Sequence, residues 1–258
     1  MSEPVILPRT PSFRLDGRKA LVTGAGRGIG LAAAAALAEA GADVMLAART
    51  AHEIEAVAAA IRTAGGTASS AVLDVTDTQG LRDFLADHGP FEVVISNAGT
   101  NRPAHAVDVT EEDYDAIIDL NLRAAYFLAQ SAGKAMIDAG VKGSIITVSS
   151  QMGHVGGERR SVYCASKHAL EGMTKSMASE WGKHGVRVNT LCPTFIETPM
   201  TKPFFEDAEF RAAVLSKIAL GRLGTVEDLM GAIVFLASDA SAMVTGSALI
   251  VDGGWTAL

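Results

Sequence analysis

Tyr163 and Lys167 stand four residues apart in the run Ser161-Val-Tyr-Cys-Ala-Ser-Lys167. On a helix that spacing puts both side chains on one face, one turn apart. A tyrosine hydroxyl ionises near pH ~10, so alone it carries protons poorly at neutrality. An ammonium a few ångström away favours the phenolate and draws that pKa toward the working range. The pair reads as a general acid/base with its tuning partner. Ser150, earlier in the stretch from Ser149 to Lys167, brings a hydroxyl to the same centre. Such a pair also arises by chance, so its weight depends on the elements around it.

Those elements begin with Lys19-Ala-Leu-Val-Thr23, a short apolar strand that runs into Gly24-Ala-Gly-Arg-Gly-Ile-Gly30 and then into an alanine-rich helix over Leu31 to Ala40. Strand, glycine turn and helix in that order form a pyrophosphate site. Glycines 24, 28 and 30 allow close backbone approach, and the helix N-terminus supplies partial positive charge. A second strand, Ala42 to Ala48, closes on Arg49. In dinucleotide folds a carboxylate at this place binds a ribose 2'-hydroxyl, whereas a basic residue accommodates a 2'-phosphate. With Arg49 here and Arg27 inside the glycine turn, NADP is favoured, NAD is possible, and a merely solvated Arg49 is the bland alternative.

The same rhythm continues. Helices are expected over Ala51 to Ala64, Gln79 to His88, Glu111 to Met136, Tyr163 to about His184 and Val226 to Ala237, with strands over Thr67 to Leu73, Glu92 to Ser96, Gly143 to Ser149, Val186 to Leu191 and Ser247 to Val251. Asp74-Val75 and Asn97-Ala98-Gly99 follow two of these strands, and Asn121 sits within the long helix capped by Thr110. The alternation implies an α/β fold: one doubly wound sheet of seven parallel strands with helices on both faces. Residues 1–15, broken by Pro4, Pro8 and Pro11, are expected to be irregular, 16–258 to form a single domain, and about 201–220 to be a mobile lid.

Composition limits the alternatives. At 258 residues and 48% hydrophobic content the chain can bury one large core. A net charge of -7 argues against nucleic acid as the main partner. No run approaches the ~18 apolar residues of a membrane span, and no cationic start precedes an apolar segment. Cys164 and Cys192 make no framework, which suits a reducing cytoplasm, and the six histidines show no metal spacing, so no catalytic metal is expected.

Taken together, Thr23-Gly24-x-x-x-Gly28-Ile29-Gly30, Asp74, Asn97-Ala98-Gly99, Asn121, Ser150 and Tyr163-x-x-x-Lys167 resemble the short-chain dehydrogenase/reductase family over nearly the whole chain. The resemblance implies a single-domain Rossmann fold, a bound NAD(P), and usually a tetramer or dimer. It also implies roles: Tyr163 as acid/base, Lys167 on the nicotinamide ribose, Ser150 on the substrate oxygen and Asn121 anchoring a relay water. Asp74 with Val75 would border the adenine, and Pro193, Ile196 and Thr198 the nicotinamide. One departure stands out: Pro193-Thr194 occupies the place where the family usually has Pro-Gly.

The cofactor would carry hydride while Tyr163 protonates the developing alkoxide, so a ketone and a secondary alcohol interconvert. Arg102, His154 and Arg159 are the tentative substrate contacts, and an arginine there could hold an anion, which suits a sugar acid, sugar or polyol. Against this, a solvated loop pair is the favoured reading of Arg159-Arg160. An acyl-carrier-protein reductase and a non-catalytic cofactor sensor are the other readings. Tyr126, Phe127, Met173 and Met177 suggest an apolar stripe where subunits pair.

Overall fold

In the computed structural model, which describes residues 6–257, seven parallel strands form one sheet in the order β3-β2-β1-β4-β5-β6-β7. They are β1 (Lys19–Thr23), β2 (Asp43–Ala48), β3 (Thr67–Val72), β4 (Val93–Ser96), β5 (Ser144–Val148), β6 (Arg187–Pro193) and β7 (Ala248–Val251). Eight helices accompany them: α1 (Gly28–Glu39), α2 (Ala51–Thr63), α3 (Thr78–His88), α4 (Glu111–Ile118), α5 (Ala124–Asp138), α6 (Ser161–Trp181), α7 (Ala208–Leu215) and α8 (Glu227–Ala237).

Successive strand residues point to opposite faces, and here both faces are covered. Ala20, Val22, Ile95 and Ile146 pack with α1, α2 and α8, while Leu21, Val94, Ile145 and Val188 pack with α3, α5 and α6. The alanine face of α1 (Ala33 and Ala34 fully buried) lets that helix lie close to the sheet. β1 pairs with β2 on one side and β4 on the other, so the strand order reverses at β1. At such a switch point the carboxyl ends of the strands open a crevice. The glycine turn, Asp74, Asn97-Ala98-Gly99, Ser150, Tyr163 and Lys167 lie along it.

The helix expected over Glu111 to Met136 is interrupted by a π turn, Asp119–Arg123, between α4 and α5. Asn121 lies in that turn, buried, and bonds both backbone groups of Thr100: its amide donates to the carbonyl at 2.9 Å and its oxygen accepts from the N–H at 2.7 Å. π turns inside helices recur at functional sites.

Residues 201–220, the expected lid, contain a 3-10 turn (Lys202–Glu206) and α7, capped by the Asp207 carboxylate. Phe195, Phe205, Phe210, Val214, Ile218 and Trp255 form a separate small apolar cluster there. Residues 6–15 contain no helix or strand, whereas Met1 to Val5, Pro4 included, lie outside the described residues. No helix among the described residues is long and apolar enough to cross a membrane.

Candidate active site

The glycine turn is shaped by contacts only glycine allows. A Cβ on Gly30 would sit 2.2 Å from the Gly24 carbonyl oxygen, and Gly28 opens α1 with φ +56°. The amide of Asn97 donates to the carbonyls of Thr23 and Gly24, both at 3.1 Å. Asn97 thus braces the turn with its side chain while also lining the crevice. The backbone N–H groups at the start of α1 border the same space, a ready cradle for phosphate.

The crevice is a cleft of about 350 Å³. It runs across the strand ends, from Asp74, Val75 and Arg49 after β3 and β2, past Gly24, Arg27, Gly28 and Ile29 after β1 and Asn97, Ala98 and Gly99 after β4, to Ser150, Tyr163, Lys167, Pro193, Ile196 and Thr198 after β5 and β6. Asp74 accepts from the Thr76 N–H (2.9 Å) and hydroxyl (2.7 Å). Partial burial pushes its carboxyl up, but those hydrogen bonds and Arg49 outweigh it and hold the group below its usual range. Arg27 pairs with Glu53 at 3.6 Å, a cleft carboxylate that sequence reasoning missed.

At the other end Tyr163 lies in the first turn of α6, with Lys167 one turn later, and Ser150 follows β5. Lys167 Nζ donates to the Val148 carbonyl at 2.9 Å and lies 5.5 Å from the centre of the Tyr163 ring. Its pKa falls from 10.5 to about 8 because burial penalises the ammonium, despite Cys192 and Glu171 acting the other way. The expected lowering of Tyr163 by Lys167 is not what the structure gives. Burial raises the tyrosine pKa, and the forces opposing it are a hydrogen bond to Ser150 and the charge of Arg160. Arg160 thus adds a second cation beside the phenol, with the Lys167 ammonium 5.5 Å from the ring centre.

Asn121 does not line the cleft; its amide is committed to Thr100 and, at 3.3 Å, to the Ser166 hydroxyl. Ser166 in turn donates to the Tyr163 carbonyl at 2.7 Å, so Asn121 braces the turn that carries the tyrosine.

The three tentative substrate residues lie elsewhere. Arg102 pairs with Asp113 at 2.8 Å and with Glu112 at 3.5 Å, and His154 turns toward Cys192 at 3.4 Å. Arg159 is exposed with φ +59°, and its carbonyl accepts from Ala104 N at 3.1 Å. Of the loop pair Arg159-Arg160, it is Arg160 that reaches the cleft, 5.3 Å from the centre of the Phe195 ring. Asn101 Oδ1, Gln151 Oε1 and Thr194 Oγ1 also belong to cleft residues, and all three are buried with no hydrogen-bond partner. Buried polar atoms cost free energy when unpaired, so unmet acceptors and hydroxyls suit a polar occupant.

An open parallel sheet with a glycine turn at its switch point, and a serine, tyrosine and lysine beside it, defines a dinucleotide-binding α/β protein with proton-transfer groups. A family model described as Enoyl-(Acyl carrier protein) reductase matches residues 24–256. Gluconate 5-dehydrogenase of Gluconobacter oxydans (strain 621H) is 40% identical over 248 residues, covering 95% of this chain and 96% of that protein. L-xylulose reductase of Bos taurus is 40% identical over 245 residues, covering 95% and 99%. A crystal structure of a gluconate 5-dehydrogenase from Burkholderia cenocepacia J2315, in complex with NADP and tartrate, superposes with a TM-score of 0.91 at 37% identity, covering 95% of this chain and 98% of that one. The chain belongs to the short-chain dehydrogenase/reductase family.

Proposed function

We propose that the protein is an NADP-dependent oxidoreductase that interconverts a secondary alcohol and a ketone in a small polyhydroxy compound, a sugar, polyol or sugar acid. The single observation that carries the substrate class is the set of unpartnered buried polar atoms on Asn101, Gln151 and Thr194, in a cleft that also presents Arg160. The names of the relatives, which concern gluconate and xylulose, point the same way. The reading of NADP rests on the glycine turn, whose close packing a Cβ at Gly30 would break, on Arg49 at the end of β2, and on the NADP in the related gluconate 5-dehydrogenase structure.

Bound at the switch point, the dinucleotide supplies or accepts the hydride. Tyr163 then delivers a proton to the carbonyl oxygen in reduction, or takes it from the alcohol in oxidation. Ser150 hydrogen-bonds the same oxygen and steadies its charge. Lys167 holds the nicotinamide ribose, and Arg160 favours the phenolate. Asn97 and Asn121 are positioning residues, one for the glycine turn and one for the helix start that carries Tyr163. Residues 201–220 act as a lid: Thr201 and Phe204 border the cleft and α7 lies just beyond. The working protein is a cytoplasmic homotetramer or homodimer joined through α5 and α6, where a second hollow is lined by Tyr126, Ile137, Met173 and Trp181.

The test is a screen of the purified protein with NADP and gluconate or polyols, and with NADPH and xylulose, simple ketones or a 3-oxoacyl thioester. The reading predicts that polyhydroxy compounds give the highest kcat/KM. A thioester that surpasses them makes the protein an acyl-carrier-type reductase, and no turnover at all makes it a cofactor-sensing protein.

A further inference from the structure

Directly behind the catalytic residues, three metal-ligating side chains from separate segments converge. His154 comes from the loop between Ser150 and Tyr163, Glu171 from α6 one turn beyond Lys167, and Cys192 from β6 beside Pro193. His154 Nε2 lies 3.4 Å from Cys192 Sγ and 3.9 Å from a Glu171 carboxylate oxygen, and the thiol is 3.4 Å from the other oxygen of that carboxylate. Bonds of about 2.0–2.3 Å from zinc to nitrogen, oxygen and sulfur give tetrahedral edges of roughly 3.3–3.7 Å. One ligand atom of each side chain lies within 4.8 Å of the other two, so modest side-chain rotations would bring all three onto one zinc ion.

The surroundings match a metal centre as well. Glu171 is buried, and its free geometry is fixed by the Thr190 hydroxyl, which donates to it at 2.8 Å, as outer hydrogen bonds fix metal-bound carboxylates. The Ser149 hydroxyl, 3% exposed, lies within hydrogen-bond reach of the Cys192 thiol. It faces the same space: an atom at the Cβ position of Gly153 would be 3.1 Å from Ser149 Oγ and 3.2 Å from Glu171 Cγ. His154 keeps 27% of its side chain exposed, which leaves an entry path. One thiolate, one imidazole and one carboxylate form a borderline-soft set that takes zinc in preference to magnesium or calcium.

We propose that His154, Glu171 and Cys192 bind one Zn²⁺, and that this ion inhibits the enzyme from behind its active site. On binding, the thiol exchanges its proton for the metal and the proton leaves to solvent, with no redox change; a water takes the fourth corner. The ion then ties together the three segments that carry Ser150, Lys167 and Pro193, and it neutralises the carboxylate one turn from Lys167. Metal binding stands independently of the proposed reaction, whereas the inhibition rests on it.

The test uses the full chain freed of metal with EDTA, reduced, and titrated with Zn²⁺ alone by calorimetry. Co²⁺ serves as a coloured substitute, since a cobalt–thiolate bond adds a charge-transfer band. One zinc per chain, the thiolate band and a raised Tm are expected, with affinity falling at least ~10-fold in Cys192→Ser and in His154→Ala. Cys164→Ser should bind as the parent does. His154 is partly exposed, so its variant folds even if the buried cysteine variant does not, and circular dichroism checks both. Equal binding by the parent and His154→Ala, or none by the parent, overturns the site. Stoichiometric binding with turnover unchanged, each protein compared with its own EDTA-treated rate, overturns the inhibition and leaves the site.

Discussion

The Lys167 ammonium donates to the Val148 carbonyl at 2.9 Å, which ties the catalytic helix to the last residue of the strand that leads into Ser150. Because that ammonium is buried, its pKa falls from 10.5 to about 8. The lysine is charged below about pH 8 and loses its proton as the pH rises through that value, earlier than it would in the unfolded chain. A group that holds the cofactor ribose by its ammonium should therefore hold it less well above that pH. The dissociation constant of NADPH, followed by nicotinamide fluorescence, is expected to be flat from about pH 6.5 to 7.5 and to rise roughly tenfold per unit well above pH ~8. Lys167→Met should bind weakly with no such rise. A parent curve parallel to that of the variant removes the lysine from the cofactor site.

Arg49 is the residue expected to set the cofactor choice. Charged hydrogen bonds contribute about 1.5–3 kcal/mol, so Arg49→Ala should lower kcat/KM with NADPH by roughly 10- to 100-fold and with NADH hardly at all. Equal losses with both cofactors mean that Arg49 does not touch the 2'-phosphate.

The two neighbouring arginines should separate cleanly. Arg160→Ala, which removes the cleft cation beside Phe195, is expected to raise KM for an anionic sugar acid about tenfold or more. Arg159→Ala, at an exposed position, should leave KM unchanged. The reverse ranking contradicts the placement of Arg160 as the substrate contact.

Much of this site was legible because it is local. The glycine turn, the strand before it and the helix after it occupy one continuous stretch, and Tyr163 and Lys167 share one helix, so periodicity and residue type sufficed. What could not be read depends on distant partners. The π turn at Asn121 exists beside Thr100, which is 21 residues away, and Asp119-Leu-Asn-Leu-Arg123 is unremarkable as helix sequence. Which arginine enters the cleft is decided by the left-handed backbone of Arg159, a feature that loop composition does not announce. Arg102, another tentative contact, is captured by Asp113. The tuning of Tyr163 differs from expectation for a related reason: helical spacing fixes the distance to Lys167 but not its burial.

Assembly has its own readout. Tyr126 is exposed at 41% and packs edge-on against Phe127 on α5, beside a hollow bordered by Met173 and Trp181. Light scattering at micromolar concentration should give a dimer or tetramer, and Tyr126→Glu should shift it toward monomer. A stable monomer for the parent protein removes α5 and α6 as a subunit interface.

The central claim is that Tyr163 is the proton-transfer group of an NADP-linked oxidoreductase. The most direct measurement compares the parent and Tyr163→Phe for NADPH affinity and for turnover on the best polyhydroxy substrate. Loss of the hydroxyl alone should leave the fold and the NADPH dissociation constant near their parent values while kcat falls by about 10²–10⁴. A variant that binds NADPH normally and turns over at close to the parent rate contradicts the account.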